Sequence, residues 1–208
     1  VEMYDVYTGF KWIANVMREN EGKKNYIGGG EESYGFLCED FVRDKDAVSA
    51  CVILAEIAAW AKDQGLSLYQ LLQKIYVEYG FSKEKGISVV KKGKSGAEEI
   101  EAMMKKFREN PLTEIAGSKV TYFYDYSTLK GKDYAENETV TLDMPTTSNV
   151  LQYFTEDNTK VSIRPSGTEP KIKFYCEVHS KVKSIDELPE AEKAAEEKIN
   201  QIKASLGI

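Results

Sequence analysis

The chain has 208 residues and a net charge of −6 at pH 7, enough length for one large domain or two small ones, each with its own core. That acidic balance excludes general nucleic-acid or membrane-surface binding, because no basic field collects phosphates wholesale and any phosphate site must be local. Cys38, Cys51 and Cys176 form no Cys-x-x-Cys pair and His179 is the single histidine, which predicts reduced thiols in a cytoplasmic protein and excludes a zinc site or a Ser-His-Asp triad.

Val1 to Tyr7 shows no signal peptide and begins abruptly in structured sequence, so the chain reads as a fragment. Thr8 is placed to cap a helix over 10–20, with Phe10, Ile13, Val16 and Met17 near one face and Gly22 ending it. A short strand is expected at Asn25-Tyr26-Ile27, entering Gly28-Gly29-Gly30-Glu31-Glu32-Ser33-Tyr34-Gly35, where consecutive glycines allow backbone geometry closed to other residues. Asp46 caps an apolar helix over 47–63. Its Ser49 and Glu56, and its length below the roughly 20 residues of a membrane span, predict a buried helix instead. Ser67 and Gln70 make a capping box for a helix over 68–79, whose Leu68, Leu71, Leu72, Ile75 and Tyr79 give one core face before Gly80.

After Gly80 the character changes, and the domain boundary is set at residue 82, giving domains 1–82 and 83–208. A Lys-rich passage surrounds the strand-like Ile87-Ser88-Val89-Val90. Ser95 and Glu98 form a further capping box, opening a helix over 96–109 with Ile100, Met103, Met104 and Phe107 inward, stopped at Asn110-Pro111. Strands are expected over 119–126, 149–154, 160–164 and 171–179, with 127–148 a polar connection turning at Lys130-Gly131-Lys132. Leu188, Ala191, Ala195, Ile199, Ile202 and Leu206 then make one stripe of a final helix that lies on a sheet and ends at Gly207.

Four stretches carry candidate chemistry. In Arg164-Pro165-Ser166-Gly167-Thr168-Glu169-Pro170-Lys171, a guanidinium fork, two hydroxyls and flexible backbone lie within five positions between two strands. These are the groups a phosphate monoester needs; an ordinary stiff hairpin turn is the other reading. The segment lacks Walker spacing, which excludes a nucleotide triphosphatase site. Gly30-Glu31-Glu32-Ser33 sets carboxylates and a hydroxyl beside flexible backbone, suited to vicinal sugar hydroxyls or equally to an acidic surface turn. Its glycine spacing breaks the dinucleotide pattern. In Arg43-Asp44-Lys45-Asp46, Lys45 stands beside the positive end of the apolar helix, a position for proton transfer or a plain charged cap. Thr8-Gly9-Phe10-Lys11 is a helix cap or a hydroxyl-binding helix start.

Taken in this order, Thr8-Gly9-Phe10-Lys11-Trp12, Gly30 to Gly35, Arg43-Asp44-Lys45-Asp46 and Arg164 to Lys171 resemble the C-terminal half of the alpha-D-phosphohexomutases. This is the phosphoglucomutase and phosphomannomutase superfamily. The resemblance implies an α/β third domain, mostly complete and N-terminally truncated, followed by a fourth domain with an antiparallel, helix-covered sheet of TATA-binding-protein-like α+β form. It implies a reaction that interconverts hexose 1-phosphate and hexose 6-phosphate through a bisphosphate. It implies sugar binding by Thr8, Gly9, Glu31 and Ser33, acid/base or substrate contact by Lys45, and a grip by Arg164, Ser166, Gly167, Thr168 and Lys171 on the phosphate that is not transferred. The loop between Gly35 and Arg43 is longer than in the glucose-type members, which bears on Lys45.

The family's phosphoserine segment, of Thr-Ala-Ser-His-Asn type, and its Asp-Gly-Asp-x-Asp-Arg magnesium segment occur nowhere in the sequence. Both are expected in domains ahead of Val1. The chain therefore has no metal ligands and no cofactor of its own, with Mg2+ and hexose 1,6-bisphosphate implied for the complete enzyme. Its expected partners are a hexose phosphate and those N-terminal domains, with no nucleic acid and no membrane. The alternatives are a phosphopentomutase-type member and a non-catalytic sugar-phosphate binding module.

Overall fold

A computed structural model describes the chain from Val1 to Ile208 except Glu32, Ser33, Lys92 and Thr168 and the side chain of Lys94. Its backbone contacts divide it into Val1–Leu72 and Gln73–Ile208.

In the first unit, α1 (Phe10–Asn20) buries Phe10 and Met17 against Leu37, with Ile13 and Tyr26 packed alongside. Thr8 does not cap it. The cap position is Gly9, at φ 118°, and it makes no side-chain cap hydrogen bond. Only glycine adopts that backbone readily, so the chain enters α1 through a turn that a hydroxyl-bearing residue would strain. The strand expected at Asn25-Tyr26-Ile27 is displaced to β1 (Gly29–Gly30), which pairs antiparallel with β2 (Phe36–Leu37). Tyr26 instead uses its hydroxyl to donate to the Leu37 carbonyl at 2.9 Å, tying the approach segment to the hairpin.

The next helix, α2 (Ala47–Asp63), is capped by Asp46, whose carboxylate accepts from the Val48 and Ser49 amides, both at 3.1 Å. Those amides hold the Asp46 carboxyl below its ordinary range. The expectation of a buried helix is corrected: only Ala61 is buried, while Val48 is 73 % and Trp60 55 % exposed. Among the described residues of this unit the β1–β2 pair is the only sheet, too narrow to cover a 17-residue helix. The capping box that opens α3 (Leu68–Tyr79) is present in both directions, from the Ser67 amide to Gln70 Oε1 at 2.8 Å and from the Gln70 amide to Ser67 Oγ at 3.2 Å. Its expected core face is not buried: Leu68, Leu72, Ile75 and Tyr79 are all exposed. Tyr76 and Val77, one step round the helix, pack on the core of the second unit, to which the contact division assigns them.

The second unit is built on an antiparallel sheet. Its strands are β3 (Phe81–Val90), β4 (Glu114–Ile115), β5 (Ser118–Asp125), β6 (Lys130–Asp133), β7 (Glu138–Thr141), β8 (Leu151–Thr155), β9 (Lys160–Pro165) and β10 (Lys171–Ser180). Among the described residues the order is β3-β10-β9-β8-β5-β6-β7, with β4 joined to β5. Alternation along β8, β9 and β10 sends Leu151, Tyr153, Val161, Ile163, Ile172, Phe174 and Cys176 to one face, where all are essentially inaccessible. Two helices, α4 (Gly93–Glu109) and α5 (Leu188–Leu206), cover that face. The inward residues expected of both are in the core or against it, and Gly207 ends α5 in the left-handed conformation. Burial pushes the Cys176 thiol up to about 11.

Three expectations change here. β3 runs the whole of Phe81–Val90 and pairs with β10 along its length, because Lys83 and Lys85, on the helix-covered face, reach Glu192 and Glu196 of α5. Alternating lysines hide a strand when their partners lie on another element. Helix α4 begins at Gly93, which places Ser95 within its first turn and not at its cap. The polar connection 127–148 contains the β6–β7 hairpin, and Lys130-Gly131-Lys132 is strand where a turn was expected. The Tyr124 ring lies across Gly131, where a Cβ would come within 2.9 Å of Tyr124 Cε1. That glycine is there to let an aromatic cross the strand.

At the far end of the sheet Asp157, in the β8–β9 turn, pairs with Lys198 of α5 and accepts from the Thr155 hydroxyl at 2.6 Å. Burial alone would raise the Asp157 carboxyl, but Lys198, Thr155 and Thr159 outweigh it and hold the group well below the carboxylate range. A depressed native value stabilises the fold above the unfolded value near pH ~4 and is lost as pH falls toward the native value. Asp157→Asn is therefore expected to lower the urea midpoint at pH 7, with the gap to the parent narrowing between pH 4 and pH 2. A gap independent of pH would contradict this role.

Candidate functional site

The β9–β10 hairpin places the Arg164 to Lys171 segment. Arg164 lies on the sheet face opposite the helices, directly across from Lys173 in the register. The turn is held locally: the Ser166 amide donates to the Lys171 carbonyl at 2.8 Å, the Glu169 amide to Ser166 Oγ at 3.3 Å, and the Lys171 amide to the Glu169 carbonyl at 2.7 Å. The Lys91 amide donates to the Pro170 carbonyl at 2.9 Å, fixing the end of the loop to the residue after β3. Around Gly167 there is open space, since an added Cβ would meet nothing within 4 Å.

Lys171 pairs with Glu169, and this ammonium, with that of Lys173 behind it, holds the Glu169 carboxyl below its ordinary range. An anion arriving at the loop would compete with Glu169 for Lys171. Arg164, Lys171 and Lys173 share one face by the two-residue period, so three cations lie on this face where the sequence reading named two. Lys173 was missed because the strand pattern gives its face, while only the hairpin register gives its position across from Arg164. Thr168 lies outside the described residues.

On the helix side, Pro165, Ser166, Gly167 and Glu169 border a groove of about 780 Å3 whose other wall is Ile100, Met104, Lys105 and Arg108 of α4. Arg108 of that wall is held by a half-buried ion pair. Arg108 Nε donates to Asp125 Oδ2 at 2.9 Å and Arg108 Nη2 to Asn149 Oδ1 at 2.8 Å, and the Asp125 side chain is only 7 % exposed. The helix wall and the loop meet only in the folded chain, and no sequence spacing announces them.

In the first unit, Glu31 sits in the β1–β2 connection with its amide donating to the Gly35 carbonyl at 2.8 Å. A Cβ at Gly35 would collide with the Glu31 carboxylate and come within 3.2 Å of Lys45 Cδ. The bare glycine thus lets the Glu31 carboxylate and the Lys45 stem pack on either side of one backbone position. The Lys45 ammonium lies 3.1 Å from Asp44 Oδ1 and 5.6 Å from the centroid of the Phe10 ring. In turn the Asp44 carboxyl is held below its ordinary range, chiefly by Lys45. Gly9, Lys11 and Lys45 share a second groove, of about 640 Å3, while Thr8 is exposed at the entry to α1. The structure thus brings Gly9, Glu31 and Lys45 into one neighbourhood of the first unit; Ser33 lies outside the described residues.

His179 is exposed at the end of β10 with Nε2 at 2.8 Å from Glu177 Oε1, and all three cysteines are free thiols, Cys51 being exposed and Cys38 half-buried. Among the described residues no group of three His, Cys, Asp or Glu side chains could hold a metal ion, and no helix is long and apolar enough to cross a membrane.

Residues 1–79 match the family model for phosphoglucomutase/phosphomannomutase alpha/beta/alpha domain III, and residues 88–195 match that for the phosphoglucomutase/phosphomannomutase C-terminal domain. The chain belongs to the phosphoglucomutase/phosphomannomutase family. Among its relatives, the phosphoglucomutase of Staphylococcus haemolyticus (strain JCSC1435) is 37% identical over 179 residues, 86% of this chain and 32% of that protein. That of Staphylococcus aureus (strain bovine RF122 / ET3-1) is 41% identical over 175 residues, 84% of this chain and 31% of that protein. The chain spans about a third of the length of the curated relatives it matches. The crystal structure of pp63/parafusin, a phosphoglucomutase from Paramecium, in its open form, shares the fold with a TM-score of 0.51 at 18% identity, over 85% of this chain and 29% of that one. The family's fold thus accounts for the mixed α/β first unit and the helix-covered antiparallel sheet of the second.

Proposed function

We propose that this chain is the substrate-recognition portion of a cytoplasmic phosphohexomutase that interconverts hexose 1-phosphate and hexose 6-phosphate through a bisphosphorylated sugar. The observation that carries the reading is the cross-strand placement of Arg164 and Lys173 at the root of a hairpin that is open around Gly167. A planar guanidinium fork and an ammonium on one face, beside short hydroxyl and backbone donors, match a phosphate monoester better than they match any neutral ligand. Arg164, Ser166, Gly167, Thr168, Lys171 and Lys173 hold the phosphate that stays in place. Glu31 and Ser33, with Thr8 and Gly9, hold sugar hydroxyls, and Lys45 contacts the substrate as acid/base. The staphylococcal relatives, both named phosphoglucomutase, favour glucose as the hexose.

Transfer itself needs a nucleophile that carries the phosphoryl group and a metal that neutralises its charge. The sequence contains neither a Thr-Ala-Ser-His-Asn-type segment nor an Asp-Gly-Asp-x-Asp-Arg segment. Mg2+ and hexose 1,6-bisphosphate therefore serve the complete enzyme through residues of its other domains, and this chain binds and orients. The test is turnover of glucose 1-phosphate in a coupled assay for glucose 6-phosphate. The complete protein is expected to be active and the 208-residue chain alone inactive while still binding the sugar phosphate. Turnover by the chain alone, or an inactive complete protein, would overturn the proposal.

A further inference from the structure

The groove beside α1 includes Gly9 and Lys45, which the hexose-phosphate reading uses, and gathers three further cations, Lys11, Arg18 and Arg43, which it does not. Its walls carry Lys11 and Arg18 from α1 and Arg43 and Lys45 from the segment before α2, against a single carboxylate, Asp44. This stands out in a chain whose net charge is −6. Lys11 and Arg18 lie on one face of α1 with Ala14 and Asn15 between them, by the three-and-four spacing of a helix. The start of the same helix borders the groove without a side-chain cap, so its first-turn amides and the positive end of its dipole add to the field there.

Existing partners leave donors over. Arg18 Nη2 donates to Asn15 Oδ1 at 2.7 Å, and Arg43 Nη2 lies 2.7 Å from Glu21 Oε2. Each guanidinium has five N–H donors, so both keep several for a ligand. Asp44 and Glu21 offset only part of the charge of the four cations, and an anion entering the groove relieves the repulsion that is left. At about 640 Å3 the groove has room for a tetrahedral oxyanion with part of its hydration shell.

The geometry points to a second anion site, of phosphate class, in the first unit, with Arg18 and Arg43 gripping the oxyanion and Lys11 and the start of α1 closing on it. It uses no residue of the Arg164 to Lys171 loop; it borders the proposed sugar contacts at Gly9 and Lys45, but its grip is Arg18 and Arg43, which the hexose-phosphate reading does not use, so the two arginine variants separate its failure from the failure of that reading.

The test titrates inorganic phosphate into the 208-residue chain, both unaltered and carrying Arg164→Ala, which weakens the other phosphate grip. Backbone amide and arginine Nε resonances are followed at constant ionic strength, with chloride as the reference anion. Saturable shifts at Gly9, Phe10, Lys11 and the Arg18 side chain are expected in both proteins and absent with chloride. Each of Arg18→Gln and Arg43→Gln is expected to weaken them about tenfold, the loss of one charge-assisted contact. Both side chains are exposed, so circular dichroism should stay unchanged in the variants. Shifts confined to the Arg164 to Lys171 loop, or shifts around Gly9 that neither substitution weakens, would overturn the site.

Discussion

Arg164→Ala is expected to weaken binding of glucose 1-phosphate roughly 100-fold, about 3 kcal/mol, the worth of two charge-assisted hydrogen bonds from one guanidinium fork. The estimate follows from where Arg164 stands. It is half-exposed on the uncovered face of β9, with Lys173 across the register and Ser166 and Gly167 just beyond it. Nothing in the core rests on it, so the urea midpoint should hardly move. Arg164→Lys keeps the charge and loses the planar fork, and is expected to recover only part of the affinity. Lys173→Ala should cost less than Arg164→Ala, because an ammonium contributes a point charge without bidentate geometry. Calorimetric titration of the three variants decides the matter. An Arg164→Ala affinity within about twofold of the parent would leave the clamp without its principal residue.

Arg108→Met is expected to be the most destabilising substitution near the loop, at about 3–5 kcal/mol, because it strands the Asp125 carboxylate in a buried position. Asp125 is 5 % exposed, and its remaining partners are the Ser127 amide at 3.0 Å and the Ser127 hydroxyl at 2.7 Å. Two neutral donors do not replace a guanidinium. The loss should be read in chemical denaturation as a lower midpoint at unchanged slope. Combining Arg108→Met with Asp125→Leu should restore most of the stability, since removing both charges removes the desolvation penalty as well as the attraction. A double variant no more stable than Arg108→Met would mean that the pair is not the source of the loss. The consequence reaches the groove beside the loop: Arg108 also holds Asn149, so the single variant should perturb Ser166 and Gly167 resonances across it.

The elements legible in the sequence are those whose own residues supply the partners. The stripe of α5, the inward face of α4, the Asp46 cap and the Ser67–Gln70 box all resolve within a few positions, and all are present. Features set by distant neighbours were not legible. The lysines of β3 read as a Lys-rich passage beside a short strand until Glu192 and Glu196 of α5 stand over them. Lys130-Gly131-Lys132 reads as a turn until the Tyr124 ring lies on the glycine. The apolar content of α2 reads as burial, yet burial needs a second surface, and the described residues of its unit supply only a two-strand pair.

The candidate site divides along the same line. Arg164, Ser166 and Gly167 sit in a hairpin that the flanking alternation announces, whereas Lys173 opposite Arg164, and the proximity of Glu31 to Lys45 across Gly35, are products of register and packing. A stripe of alternating residues tells which face a cation occupies. It does not tell which cation it faces.

The most direct measurement is the response of the Arg164 to Lys171 amides to glucose 1-phosphate compared with glucose, each titrated into the 208-residue chain. A phosphate clamp requires saturable shifts at Arg164, Ser166, Gly167 and Lys173 with the phosphorylated sugar and none with glucose. Loop resonances that stay fixed in glucose 1-phosphate, or that move equally in glucose, would contradict the account.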